Sequence, residues 1–194
     1  MSENSKTRKY FYRITAAAIV LFWLAFLSVF AVNLVEKRAY PLLYEREIAE
    51  VSGKYGINVA LTFAIVRTES GFDPFAVSIK GAVGLMQIMP GTGEYIANKK
   101  GVDEYDLFDV NTNLDFGAYY WNYLSERFLG IRETAAAYNA GEGTVKGWLK
   151  NKEYSADGKA LDVIPYKETA TYVKKICESL KRYRKLYGKL LDKY

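Results

Sequence analysis

Glu69 closes the apolar run 59–66, and Leu61, Ile65 and Glu69 recur four residues apart. On a helix that spacing puts the carboxyl on the same stripe as the two aliphatic side chains, the stripe that turns to the core. Burying an unpaired charge costs several kcal/mol, so a carboxylate is rarely placed there without a use. The group escapes that cost through a raised pKa, which leaves it protonated near neutral pH and able to donate a proton. Glu69 is therefore the candidate general acid. The rival reading is a helix-end glutamate that is solvated, or paired with Arg67 or a nearby lysine.

Three further clusters bear on Glu69. The segment Gly81-Ala82-Val83-Gly84-Leu85-Met86-Gln87-Ile88-Met89-Pro90 sets a polar amide among apolar residues and flexible glycines. Glycines let a backbone approach a ligand closely, and a glutamine offers both donors and an acceptor. Ala136-Ala137-Tyr138-Asn139-Ala140-Gly141 puts Tyr and Asn at a helix end, and Glu168-Thr169-Ala170-Thr171-Tyr172-Val173 opens a last helix. Taken singly, each has a plainer reading: Met86 and Tyr138 as core, Asn139 as a cap, Glu168 as a first-turn acid favoured by the helix dipole.

Helices are the elements that must position these groups. A short one is expected over 43–54 before Gly56, and the next runs from Asn58, a suitable N-cap, to Glu69, where Gly71 stops it. Gly71, Pro74, Gly81, Gly84 and Pro90 make 71–90 a structured loop region, with room for short strands. Thr92 is expected to cap a helix through Asn98, and Asn113 a longer one through Arg127 whose stripe is Leu114, Ala118, Trp121 and Leu124 or Ser125. Further helices are expected over 131–140 and 144–150, then a polar loop over 151–164. The last helix starts near Pro165 or Tyr166, with the stripe Tyr172, Ile176, Leu180, Tyr183, Tyr187 and Leu190 facing inward. The fold class is mostly α.

The 194 residues suffice for one ordinary domain plus an appendage. Residues 14–35, ITAAAIVLFWLAFLSVFAVNLV, carry no charge and match the thickness of a bilayer's hydrocarbon. A cleaved signal would have a shorter apolar region and a small-residue cleavage site, whereas this segment runs into Glu36-Lys37-Arg38. The expected organisation is a cytoplasmic basic arm (1–13), a transmembrane anchor (14–35), a linker (36–42), a catalytic domain (43–180) and a basic helix extension (181–194). Lys6, Arg8, Lys9 and Arg13 before the span favour the short tail inside, which places the domain on the extracytoplasmic side of the cell membrane. The net charge of +5 suits work beside an anionic surface. No nucleic-acid motif accompanies it, and with one cysteine and no histidine no metal site or cofactor is suggested.

The motifs in their order, Glu69-Ser70-Gly71-Phe72-Asp73-Pro74, Gly81-Ala82-Val83-Gly84-Leu85-Met86-Gln87, Asn113 with Gly117, Ala137-Tyr138-Asn139-Ala140-Gly141, and Glu168-Thr169 with Tyr172-Val173, resemble the lytic transglycosylases of the soluble-murein-transglycosylase type. The resemblance covers roughly 43–180. It implies a fold related to goose-type lysozyme, peptidoglycan glycan strands as substrate, and Glu69 as acid/base. Ser70, Met86, Gln87, Tyr138, Asn139 and Tyr172 would line the glycan cleft. It further implies cleavage of the β-1,4 bond between N-acetylmuramic acid and N-acetylglucosamine without hydrolysis, leaving a 1,6-anhydromuramic end.

The residues agree with that chemistry on one point. Ordinary glycosidases need a second carboxylate. Asp73 follows Glu69 by four residues, but Gly71 has ended the helix and Pro74 biases Asp73 toward an extended backbone. One acid suffices where the substrate's own acetamido oxygen and 6-hydroxyl act as nucleophiles. A hydrolytic muramidase, an idle peptidoglycan-binding scaffold and a generic helical membrane adaptor are the competing functions.

Overall fold

The computed structural model describes residues 3–194; the side chains of residues 3–12, 14 and 17 lie outside the description, and with them most of the expected basic arm 1–13. The chain divides into two compact units, Met1–Pro41 and Leu42–Tyr194. The first holds α1 (Glu3–Ala39), within which Ala18–Ala39 has a mean hydropathy of 2.5 and is long and apolar enough to cross a membrane. Its large side chains, among them Phe22, Trp23 and Phe30, are exposed to whatever solvent surrounds them.

The second unit is helical throughout: α2 (Glu45–Tyr55), α3 (Val59–Glu69), α4 (Pro90–Lys100), α5 (Val110–Ser125), α6 (Ile131–Ala140), α7 (Glu142–Lys150) and α8 (Lys167–Leu191). Its centre is α3. Every residue from Val59 to Val66 is buried, so this helix has no solvent face, and the single stripe expected from its spacing is instead an apolar cylinder. Burying one large aliphatic or aromatic side chain contributes about 1.5–3 kcal/mol; Phe63, Ile65 and Val66 are fully buried. Around α3 pack α2, through the buried Ser52–Thr62 hydroxyl pair at 2.7 Å, and α8, through the Phe63 and Tyr183 rings 5.3 Å apart.

Helix α2 starts at Glu45 rather than 43 and α7 at Glu142 rather than 144, and two further starts differ for a physical reason. Pro90 begins α4, where its missing N–H costs nothing, so Thr92 lies inside the first turn and caps nothing. Asp109, not Asn113, caps α5, its carboxylate accepting from the Thr112 N–H at 2.8 Å. Asn113 is buried in the helix instead. The stripe of α8 also ends early: Tyr183 is buried, Leu190 is exposed, and Leu191 takes the buried position near the end. No strand forms among the described residues; the 71–89 loop carries two isolated antiparallel bridges, Val77 to Val83 and Val83 to Ile88.

That loop is pinned to α5. The Asn113 amide accepts from the Met86 N–H at 2.7 Å and donates to the carbonyls of Val83 (2.9 Å) and Leu107 (2.7 Å). Two glycines allow the approach. Gly84 has φ 76°, and a β-carbon there would lie 2.2 Å from the Asn113 amide nitrogen. A β-carbon on Gly117 would lie 2.6 Å from the Met86 β-carbon, which cannot swing aside as a side-chain tip could. Gly117→Ala should therefore push the 84–88 segment off α5 and destabilise the domain by about 1–3 kcal/mol, the usual cost of overpacking. Denaturant melts of the variant check this; an unchanged midpoint would show that the segment yields freely.

Candidate active site

The last turn of α3 delivers Glu69 to the edge of the core. The residue keeps part of its surface open to a cavity of about 420 Å³, while its carboxyl is enclosed on the protein side. Its Oε1 accepts a 2.5 Å hydrogen bond from the Tyr172 hydroxyl, carried by α8. No cation pairs with it among the described residues; Arg67, the partner of the rival reading, reaches Ser179 Oγ at 3.3 Å. Burial raises the Glu69 pKa from 4.5 to about 7, and the Tyr172 hydrogen bond pulls it back only in part. Burial also holds Tyr138 and Tyr172 well above the usual phenol value, with the Glu69 charge adding to it, so both remain neutral donors. A neutral donor can orient the carboxyl without forcing it to ionise.

The cavity beside Glu69 is walled by Gln87, Tyr138 and Asn139, and by Ser78, Ile79, Lys80, Ala82, Met89 and Glu168. Three of the six binding candidates thus meet at the carboxyl: Gln87, Tyr138 and Asn139. Each is held. Gln87 Nε2 donates to the carbonyls of Gly84 (2.9 Å) and Ala76 (3.1 Å), and its backbone sits at φ 49°, a left-handed conformation that non-glycine residues rarely adopt. The Tyr138 hydroxyl donates to the Met86 carbonyl at 2.9 Å, and Asn139 Oδ1 accepts from Thr169 Oγ1 at 2.8 Å.

The other three lie behind the wall. Ser70 Oγ donates to the Leu85 carbonyl at 2.9 Å and accepts from the Phe72 N–H at 3.1 Å, tying the end of α3 to the loop. The Met86 side chain is fully buried against α5, and Tyr172 is buried beneath Glu69. All three place their neighbours rather than face the cavity.

Of the acids near the cavity, Asp73 is exposed and turned into its own loop, its Oδ1 accepting from the Phe75 N–H at 2.9 Å. Glu168 does line the cavity, which its first-turn position on α8 did not reveal; it is largely exposed and lies 3.4 Å from Lys80. Lys80, Ser78 and Met89 also escaped the sequence reading. Their signal is the bridge geometry of 77–88, which folds a loop into a wall and has no periodic trace in the sequence.

The chain is 36% identical over 155 residues to the soluble lytic murein transglycosylase of Escherichia coli K12, covering 77% of this chain and 24% of that protein. It is 32% identical over 184 residues to the membrane-bound lytic murein transglycosylase C of Edwardsiella ictaluri, covering 79% of this chain and 49% of that one. Among solved structures, the 70 kDa soluble lytic transglycosylase of Escherichia coli superposes with a TM-score of 0.70 at 32% identity, over 79% of this chain and 26% of that chain. An inactive glutamate-to-glutamine mutant of the Pseudomonas aeruginosa enzyme Slt superposes with a TM-score of 0.65 at 31% identity, over 76% of this chain and 25% of that one. The chain thus spans between a quarter and a half of the length of these relatives. The model of the transglycosylase SLT domain matches residues 46–161, α2 through the loop before α8, and the chain belongs to that family.

Proposed function

We propose that this protein is a membrane-anchored lytic transglycosylase of peptidoglycan, with Glu69 as its single acid/base. The observation that carries the reading is a carboxyl raised to about 7 at the head of a cavity, held by a neutral phenol and by no cation among the described residues. Such a group is protonated often enough at neutral pH to give a proton and basic enough, once ionised, to take one back. The names of the relatives and the inactive glutamate-to-glutamine mutant of one of them support it.

Glu69 protonates the oxygen of the β-1,4 bond, and the N-acetylglucosamine leaves as its free 4-hydroxyl. The acetamido oxygen of the N-acetylmuramic unit attacks the anomeric carbon as that bond breaks, closing an oxazolinium ring. The Glu69 carboxylate then takes the proton of the 6-hydroxyl, whose oxygen displaces the acetamido oxygen and forms the 1,6-anhydro bridge. No water is consumed, and the second attack gains the high effective concentration of an intramolecular step. Gln87 and Asn139 offer amide groups at the cavity suited to acetamido and hydroxyl recognition; Ser70, Met86 and Tyr172 support the wall and the acid. The apolar part of α1 anchors the chain in the bilayer, with the basic arm 1–13 cytoplasmic and the catalytic unit facing the wall.

The second reading, hydrolysis of the same bond, draws on Glu168, the other carboxyl on the cavity. Cleavage in heavy-oxygen water separates the two: the transglycosylase releases muropeptides without label, whereas one labelled oxygen per cut would make the protein a hydrolase.

Glu69→Gln should lower cleavage by about four orders of magnitude or more, beyond the ~10²–10⁴ typical of acid–base help. The same variant should gain stability in alkali. Between pH 4.5 and about 7 the folded chain keeps a proton that the unfolded chain loses, so wild-type stability falls as pH rises through that window. The loss amounts to no more than about 3 kcal/mol, and the variant escapes it. Melting curves at pH 8 and pH 4 read the difference; a variant that is equally or less stable at both would remove burial as the cause of the raised pKa.

Tyr172→Phe tests the other half of the balance. The phenol favours the ionised carboxylate, so its removal should raise the Glu69 pKa further and carry the basic limb of the activity profile to higher pH. A limb that moves downward would mean that Tyr172 favours the protonated acid.

A further inference from the structure

The cationic end of α8 has no part in the glycan chemistry. Lys181, Arg182, Arg184, Lys185, Lys189 and Lys193 stand within 181–194, with Asp192 as the only acid of that stretch. All six are exposed, and Lys181, Lys185 and Lys189 recur every four residues, so they share one stripe of the helix. Beside them, Leu190 is 41% exposed, Tyr194 52% and Leu43 50%. A stripe of lysines by itself is the ordinary solvated face of a surface helix; its location here says more.

The end of α8 is fastened to the start of α2. Glu45 accepts from the Tyr194 hydroxyl at 3.0 Å and lies 3.5 Å from Lys193 Nζ. Residues 36–44 separate Glu45 from Val35, where the uncharged span 14–35 ends. An extended chain advances at most about 3.6 Å per residue, so whichever way that segment runs Glu45 stays within roughly 36 Å of the end of the span. With the span in a bilayer, the connection keeps the basic end of α8 and its exposed leucines and tyrosine within reach of the head groups. Lysines next to Leu and Tyr are the composition that settles in an anionic interface.

We propose that the end of α8, with Leu43 and Tyr194, docks on an anionic lipid surface and binds the phosphates of its head groups. The inference rests on the membrane-anchored reading above. Its consequence is geometric: α8 rises about 1.5 Å per residue, so Tyr172, which holds Glu69, and Leu191 lie roughly 30 Å apart along its axis. Docked at one end, α8 becomes a spacer that sets how far from the bilayer the acid works.

The test uses the full chain with Cys177→Ser, carrying a bimane fluorophore on Leu190→Cys or, as reference, on Lys159→Cys in the exposed loop after α7. Each is reconstituted into phosphatidylcholine vesicles with and without phosphatidylglycerol, all containing a head-group spin-labelled quencher, and each is checked for an unchanged melting curve. Quenching at position 190 should be at least about twofold stronger with phosphatidylglycerol and fall to the neutral level in 1 M salt, where the screening length is about 3 Å. Position 159 should not respond. Adding Lys185→Glu and Lys189→Glu should abolish the difference. Equal quenching with and without phosphatidylglycerol, in a chain that floats with both vesicles, overturns the docking and leaves the anchor standing. Failure to float with neutral vesicles overturns the anchor and the docking with it. A position 190 indifferent to lipid charge but shifted by added anionic wall polymer would assign the surface to the wall and overturn the proposal.

Discussion

For the proposed acid/base role Glu69 must be dry enough to hold a proton near neutral pH and yet open to a substrate, and most of the second unit can be understood as the means of meeting both demands. Drying the carboxyl requires that the helix carrying it run through the middle of the core, and α3 does so without a solvent face. Orienting it requires a donor that does not fix its charge, and the Tyr172 phenol is one. A lysine or arginine in that place would lower the pKa and leave the carboxyl ionised at neutral pH. The energetic strain is modest. An ionised Glu69 costs on the order of 3 kcal/mol, which the burial of one or two side chains such as Phe63 or Ile65 offsets.

The open side of the acid is made by a loop rather than by a regular element, and its rigidity comes from polar bonds aimed at backbone. Asn113, Ser70, Gln87 and Tyr138 each bond to main-chain groups between Ala76 and Met86. Such bonds leave no buried polar atom without a partner in the wall. Removing one of these side chains would therefore loosen the wall, and removing Gln87 or Tyr138 would also take away a group that lines the cavity. Gly84 and Gly117 matter for the same reason, since each gives the room in which a neighbouring bond forms.

Residue spacing made the helices and the buried place of Glu69 legible, because a period near four and a run of apolar residues are local signals. It located α3, α6 and the start of α8 almost to the residue, whereas for Glu69 spacing left a solvated or paired glutamate as the rival until the other motifs were set beside it. Partnership across the fold was not legible. Asn113 looks like a cap from its local sequence, but α5 begins earlier at Asp109, and the amide is spent on a loop distant in sequence. Met86 and Tyr172 belong to the right motifs, yet only the packing shows that they sit behind the cavity wall. Glu168 looked like an ordinary first-turn acid, and its position on the cavity depends on where α8 crosses α3 and α6.

The account stands on the protonation of one side chain, and a direct titration reads it without passing through activity or stability. Carbon-13 NMR of the full chain with labelled glutamate carboxyls, the Glu69 resonance assigned by its absence in Glu69→Gln, gives that pKa. A midpoint near 7, well apart from the exposed glutamates, is the result expected from burial against a neutral phenol. A midpoint near 4.5 would mean that the carboxyl is ionised at neutral pH and would contradict its role as proton donor.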